Sequence, residues 1–368
     1  MVRGNYFNPK TVGCIRNNIE RYDWGKAIAK EAIDKANILV GYGKSYWWTL
    51  PTPNDLARSA TPGHINSGCP VCGDENFLKH SNRGWINHIV GNQWKVQCKN
   101  CNNIFPSNDF KSYYQSGLDQ RGIFQRNLAD PAYLVNTMYP DKDPNYFVDD
   151  GYGYVDETGN RWSFIAYYNH YGLWANWDDD GIDGGLILSG AKKLSEAYVY
   201  AGDIIYAQYC LLLLYKVALI YPEMDLNVYM RLPGRPYRNT DGFSLQGKAT
   251  GRICESILAR NLCMAADAVM PVLRTHKEAV ESFFKEFALV STQEIEETIV
   301  DGFLRQVFIG VQNGSIGGNE GMYQSALAIA AVCMGECEES KKWLDWLFAD
   351  APYGVVYDNG FEMSQLYD

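Results

Sequence analysis

The chain of 368 residues has no unbroken apolar stretch approaching the ~20 residues that a membrane span needs. Its opening, MVRGNYFNPKTVGCIRNN, lacks the apolar core of a secretory signal. No membrane partner is therefore expected. The sequence as written predicts a cytoplasmic chain, or a periplasmic or secreted one if a leader has been removed. Positive charge is scarce as well: 33 Lys and Arg stand against 43 Asp and Glu, for a net charge of -10. Non-specific nucleic-acid binding runs on a basic surface, so no nucleic-acid partner is expected. A polyanionic ligand would have to rely on a local basic cluster. The ten cysteines do not read as a disulfide framework over a chain this long. Cys210, Cys254, Cys263 and Cys333 fall within apolar helical patterns and are predicted to be buried thiols.

What is plentiful is core material. The sequence is 46% hydrophobic and includes 26 Tyr and 10 Trp, enough to bury one large domain or two. Flat aromatic faces also suit sugar rings, although aromatics fill ordinary cores too.

Cys69, Cys72, Cys98 and Cys101 form CxxC, 25 intervening residues, and a second CxxC. Each CxxC places two thiolates on one turn, and two such turns make a tetrahedral site for a zinc ion. Four thiolates leave no position for water or substrate, so the zinc is expected to be structural. His80 and His88 lie inside the module and could replace a cysteine, but the four thiolates suffice. Between the knuckles, WINHIVGNQWKVQC reads as short strands around a turn at Gly91-Asn92. A nucleic-acid zinc ribbon is the second reading of this segment, and the acidic balance opposes it.

Residues 18–40 carry the apolar spacing of one amphipathic helix. A Pro, Ser and Thr-rich loop (50–66) leads to the zinc module. The stretch that follows, to about 150, is turn-rich. Alternating runs around Thr158-Gly159-Asn160 predict a β-hairpin. From about 183 onward, six segments have helical periodicity and short Gly, Pro or Asn breaks. They predict antiparallel helix pairs, an all-α array with loops at one end free to build a site. The expected organisation is residues 1–66 helical, 67–105 zinc module, 106–182 turn-rich with a hairpin, and 183–368 helical.

Three stretches have more polar chemistry than a helical array requires. Residues 230–255 gather Arg231, Arg235, Arg238, Lys248 and Arg252 against Asp241 and Glu255, a basic loop in an acidic chain. Guanidinium forks there suit carboxylate or sulfate groups. Arg252 and Glu255 stand three apart on one helix face, as a structural ion pair or as substrate-orienting groups. AYYNHYGLWANW supplies Asn169, His170 and Trp174. The DDDGID that follows lacks the full spacing of a calcium loop and reads as a solvated acidic loop. The third stretch is GGNEGMYQSA (317–326), in which Asn319 is suited to capping the helix that follows.

Taken in order, GCPVCG…CKNCNNIFPSNDFKSYYQSGLD, DDGYGYVDETGNRW, GRICESILAR and GGNEGMYQSALAIAA resemble the heparinase II/III-like polysaccharide lyases over nearly the whole chain. The resemblance implies a mainly α fold, an incomplete (α/α) toroid with the small β-rich zinc insertion near its start. It also implies β-elimination on uronic-acid-containing poly- or oligosaccharides of glycosaminoglycan or alginate type. In that family an Asn neutralises the uronate carboxylate, a His a few residues later moves a proton, and a more distant Tyr acts as base or acid. Asn319 matches the Asn. Tyr323 stands where the family reads His in Gly-Met-His-Gln, with Gln324 beside it, and His170 is the other proton carrier. Arg252 and Glu255 match the helix motif's polar pair, and with Asn169, Arg238 and Trp174 they are the expected substrate contacts. The family's second Tyr and its β-sheet domains would lie past Asp368, so a fragment or a shortened relative is expected. A catalytically inactive carbohydrate-binding relative is the alternative. A helical glycoside hydrolase, which needs two facing carboxylates, is more remote.

Overall fold

The computed structural model describes residues 4–63, 68–88, 91–175, 185–226, 247–319 and 321–349. The fold is mainly helical with a small antiparallel sheet. In chain order the helices begin with α1 (Pro9–Arg21), α2 (Asp23–Gly41), α3 (Lys44–Thr49), α4 (Glu75–His80), α5 (Phe110–Ser116) and α6 (Phe164–Tyr167). They continue with α7 (Leu186–Ala201), α8 (Ile204–Ile220), α9 (Arg252–Val269), α10 (Val272–Thr275), α11 (Lys277–Phe284) and α12 (Thr292–Ile299). The last are α13 (Arg305–Asn313), α14 (Met322–Met334) and α15 (Glu338–Leu347). Strands β1 (Trp85–His88), β2 (Lys95–Cys98) and β3 (Ile104–Phe105) make an antiparallel sheet, while β4 (Tyr154–Val155) pairs with β5 (Arg161–Trp162).

The chain divides into two compact units. One comprises Met1–Pro51, Ile187–Pro222 and Ile253–Asp368, the other Thr52–Leu186 and Glu223–Arg252. The four knuckle cysteines and the Gly159 hairpin thus share one unit.

The first unit is built around α8. Asp203 caps it by accepting the Ile205 N–H at 3.0 Å, and from Tyr206 to Ile220 nearly every side chain is buried. Such all-round burial makes α8 the central helix of its unit. The segments Ile204–Glu223 and Ile253–Thr275 are long and apolar enough to cross a membrane by length and composition alone, which the sequence reading did not anticipate. Most of each window is buried inside the protein. Gly302 lets the segment after α12 approach α8 closely, since a Cβ there would lie 2.1 Å from the Ala218 carbonyl oxygen. That segment, Val300–Leu304, is a π turn that interrupts what the periodicity predicts as one helix.

The helix expected over 18–40 is also broken. Tyr22 is extended (φ -119, ψ 137), ending α1 and starting α2. The chain can fold back because position 25 is glycine: a Cβ there would sit 2.7 Å from the Asn18 carbonyl. Asn8 caps α1 through the Thr11 N–H at 3.0 Å, with Pro9 at the first helical position.

In the second unit β1 and β2 pair as expected around Gly91, Trp85 opposite Cys98 and His88 opposite Lys95. The hairpin about Gly159 forms too, with Tyr154 opposite Trp162. Aromatic rings fill this unit. Phe105 stacks on Phe164 at 4.2 Å, Trp85 meets Phe164 at 5.1 Å, and Trp94 packs against Phe110, Tyr114 and Tyr168. Much of the aromatic content is therefore core.

Candidate functional site

The four knuckle cysteines converge. Their sulfurs all lie within 4.8 Å of one another, with Cys69 to Cys101 at 3.7 Å and Cys72 to Cys98 at 3.8 Å. A tetrahedron with metal–sulfur bonds of about 2.3 Å has sulfur–sulfur edges of about 3.8 Å. A disulfide would need about 2.05 Å, and all ten cysteines are free. Four donors at tetrahedral spacing fit a thiophilic metal ion.

The backbone explains how two short loops achieve this. Gly73 and Asn102, each directly after the second cysteine of its knuckle, adopt left-handed geometry (φ 60 and 61). This turns the chain so that the Gly73 N–H reaches the Cys69 carbonyl at 2.8 Å and the Asn102 N–H reaches that of Cys98 at 3.0 Å. Glycine and asparagine are the residues that take this conformation most readily. The sulfurs also collect donors: Val71 N–H on Cys69 at 3.4 Å and the Asn103 side-chain amide on Cys101 at 3.3 Å. The Cys98 thiol is drawn down to about 5, first by the hydrogen bond from Cys69 and then, against burial, by the Cys101 and Asn100 amides. Cys69 rises in exchange. Thiolate is the form a metal binds.

The GGNEG stretch lies in the first unit against the start of α9. The Ser256 hydroxyl donates to the Gly317 carbonyl at 2.5 Å. Gly318 (φ 130) passes so near α9 that a Cβ would meet the Ile253 Cα at 3.0 Å. The structure corrects the expected cap. Gly321 (φ 85), not Asn319, is the N-cap of α14, and its N–H donates to the Gln324 side-chain carbonyl at 2.6 Å. A left-handed cap selects glycine, and Gln324 satisfies the free amide. Asn319 contributes only its backbone carbonyl, which accepts the Met322 N–H at 3.1 Å. Its side chain is exposed and has no hydrogen-bond partner among the described residues. Tyr323, half-buried, is on the first turn of α14, and Gln324 is buried in its capping role.

Glu255 is wholly buried and accepts the Tyr221 hydroxyl at 2.6 Å. Burial, then the Glu255 charge, pushes the Tyr221 phenol far above its ordinary range. Glu255 thus ties α9 to Tyr221 inside the first unit. Arg252 is the first residue of α9. Arg238 lies outside the described residues.

In the second unit Asn169, His170 and Trp174 sit on a π turn, Tyr168–Trp174, that continues α6. Two of the expected substrate contacts are bonded inside this unit. Trp174 is wholly buried and donates its indole N–H to Thr52 at 2.8 Å. Asn169 accepts the Thr52 hydroxyl at 2.6 Å and donates to the Leu56 and Ala57 carbonyls at 3.3 and 3.1 Å. Every polar atom of this pair is used within the unit. His170 differs: it is 1% exposed, and neither ring nitrogen has a hydrogen-bond partner among the described residues. Burial, aided by the Arg58 cation, lowers its pKa to about 3, so it is neutral at neutral pH. Its free lone pair is in the right state for a base, but solvent does not reach it.

Sequence reasoning missed Thr52, Tyr221 and Ser256. Their partners lie 122, 34 and 61 residues away in the chain, beyond any local pattern. The cap at Gly321 was findable, because a glutamine three residues after a candidate cap is the capping-box spacing.

No family model, curated protein or solved structure matches the chain.

Proposed function

We propose that the chain is the helical-toroid part of a polysaccharide lyase of the heparinase II/III-like kind, with a structural zinc ion at Cys69, Cys72, Cys98 and Cys101. Its substrate is a uronic-acid-containing poly- or oligosaccharide of glycosaminoglycan or alginate type, cleaved without water. One observation carries the reading: GGNEG and GRICES, two of the stretches behind the resemblance, pack together at Gly317, Gly318, Ile253 and Ser256, while the Asn319 amide is exposed and unbonded among the described residues. An amide free of capping duty is available to a ligand carboxylate.

The chemistry follows from that placement. The C5 proton of a uronate is hardly acidic until hydrogen-bond donors neutralise the adjacent carboxylate. Asn319 donates to it. Tyr323, as phenolate, takes the C5 proton. The C5–H electrons become the C4–C5 double bond as the C4–O bond breaks, and the leaving oxygen takes a proton from the phenol. A free tyrosine titrates near 10, so a cation beside Tyr323 is required to favour phenolate. His170, the other expected proton carrier, is neutral but buried within the second unit, and no step is assigned to it.

Asn319→Ala tests the assignment. Losing one pre-organised donor is expected to cut turnover by about a hundredfold or more, and the exposed site predicts an unchanged melting temperature. Turnover within about twofold of the parent would remove Asn319 from the mechanism.

A further inference from the structure

Helix α2 is half core and half surface. Its buried face is Gly25, Ala29, Ala32, Ala36 and Leu39, small side chains that let it lie close to its own unit. A different face carries Trp24, Ile28, Glu31, Lys35 and Ile38, continued by Tyr42 at the helical C-cap. These positions are spaced four, three, four, three and four apart, the spacing of a coiled-coil seam. At 3.6 residues per turn, 24 to 38 fall within about 80° of arc. Trp24, Ile28 and Ile38 are 58%, 50% and 61% exposed and face outward, while Tyr42 is half-buried with its ring edge-on to Tyr46 at 5.1 Å. Tyr22, itself exposed, stacks on Trp24 with ring centroids 5.8 Å apart.

The seam has a symmetry of its own. Pair it with an identical helix running the other way, about the midpoint Ile33. Trp24 then meets Tyr42 of the copy, Ile28 meets Ile38, and Glu31 meets Lys35. Aromatic faces aromatic, branched aliphatic faces branched aliphatic, and each acid faces a base. An isologous twofold contact needs this self-complementarity, because each residue i that touches j must also have j touching i. A parallel pairing would instead put Glu31 on Glu31 and Lys35 on Lys35. The intrahelical Lys35–Glu31 ion pair, 2.7 Å with both side chains solvated, does not stand in the way, since exposed pairs at this spacing are weak.

We infer that the chain forms a twofold homodimer through antiparallel packing of α2 on α2 of a second copy. The helix has 19 residues, so the shared seam is about 28 Å long. One helix pair of that length lies at the small end of protein interfaces, which predicts weak, concentration-dependent association with Kd on the order of 10 µM.

The experiment uses the full chain in sedimentation velocity from about 1 to 100 µM, a range that brackets the association expected for so small an interface. The parent is expected to shift from monomer to dimer. Ile38→Glu, Glu31→Lys and Lys35→Glu each change two symmetry-related contacts and are expected to weaken the dimer about tenfold or more. Mixing Glu31→Lys chains with Lys35→Glu chains sets two lysines on one helix, at positions 31 and 35, against two glutamates at positions 35 and 31 of the other. A heterodimer is then expected to form where neither variant pairs with itself. Thermal melts check that each variant is folded, which substitutions at exposed positions should preserve. A parent that stays monomeric throughout overturns the inference. So does a dimer indifferent to these substitutions, or a mixture of the two charge variants that does not associate.

Discussion

His170 is a buried base with nothing among the described residues to hold its proton, and that makes the stability of the second unit depend on pH in a calculable way. An unfolded histidine titrates near 6.5, while in the fold burial and the Arg58 cation lower His170 to about 3. Above pH 6.5 the ring is neutral in both states and contributes no slope. Between 6.5 and 3 the unfolded chain binds a proton that the folded chain does not, so stability falls with acidification by about 1.4 kcal/mol per pH unit. Lowering the pH from 7 to 5 therefore costs about 2 kcal/mol through this one residue. Asp149 acts in the opposite sense. Wholly buried, it is raised to about 6, chiefly by desolvation, so its carboxyl stays protonated in the fold where the unfolded chain ionises, and that stability is lost as pH rises from about 4 to 6. The parent's own pH profile mixes the two. The difference between the parent and His170→Leu isolates the imidazole, because Asp149 is common to both. Urea denaturation at pH 7 and pH 5 is the assay. At pH 7 the substitution should cost little, since it also removes two unsatisfied buried nitrogens, each worth about 1–3 kcal/mol. At pH 5 it should be stabilising relative to pH 7 by about 2 kcal/mol. Denaturation curves that move in parallel with pH would refute the reasoning and mean that His170 has hydrated or hydrogen-bonded surroundings.

Two further perturbations follow from the packing. Cys98→Ser should abolish metal binding at the four-cysteine cluster and lower the melting temperature, read by elemental analysis and thermal unfolding; one metal ion per chain in the variant would contradict the four-cysteine assignment. Tyr221→Phe leaves the buried Glu255 carboxylate without its hydroxyl donor, and a hydrogen bond to a charged group is worth about 1.5–3 kcal/mol. A denaturation midpoint unchanged by that substitution would show that other partners satisfy Glu255.

The four-cysteine cluster was legible because its chemistry is local. A two-residue spacer inside each knuckle, followed by Gly73 and Asn102, specifies a turn that aims both sulfurs the same way. The β1–β2 pairing and the hairpin at Gly159 were legible for the same reason. Helix existence was legible from periodicity, but breaks were not. Tyr22 is an adequate helix former, and only the close packing of Gly25 on Asn18 marks the reversal there. The π turns at Tyr168–Trp174 and Val300–Leu304 leave the apolar pattern almost unchanged, so periodicity runs through them. The candidate site was half legible. Asn319 was the residue expected to cap α14, and the positive φ at Gly321 gives the cap to glycine instead. Trp174 and Asn169 looked like ligand contacts because aromatic and amide groups serve both purposes. Their commitment to Thr52, more than a hundred residues away, is a tertiary fact.

The most direct test of the lyase reading is absorbance at the unsaturated-uronate band, followed with folded, zinc-loaded protein on heparan sulfate, chondroitin sulfate, hyaluronan and alginate. Elimination creates a conjugated double bond that hydrolysis does not. A rising signal on one of these polymers, lost in Asn319→Ala, is the predicted result. New chain ends without absorbance, or a flat trace on all four polymers, would contradict it.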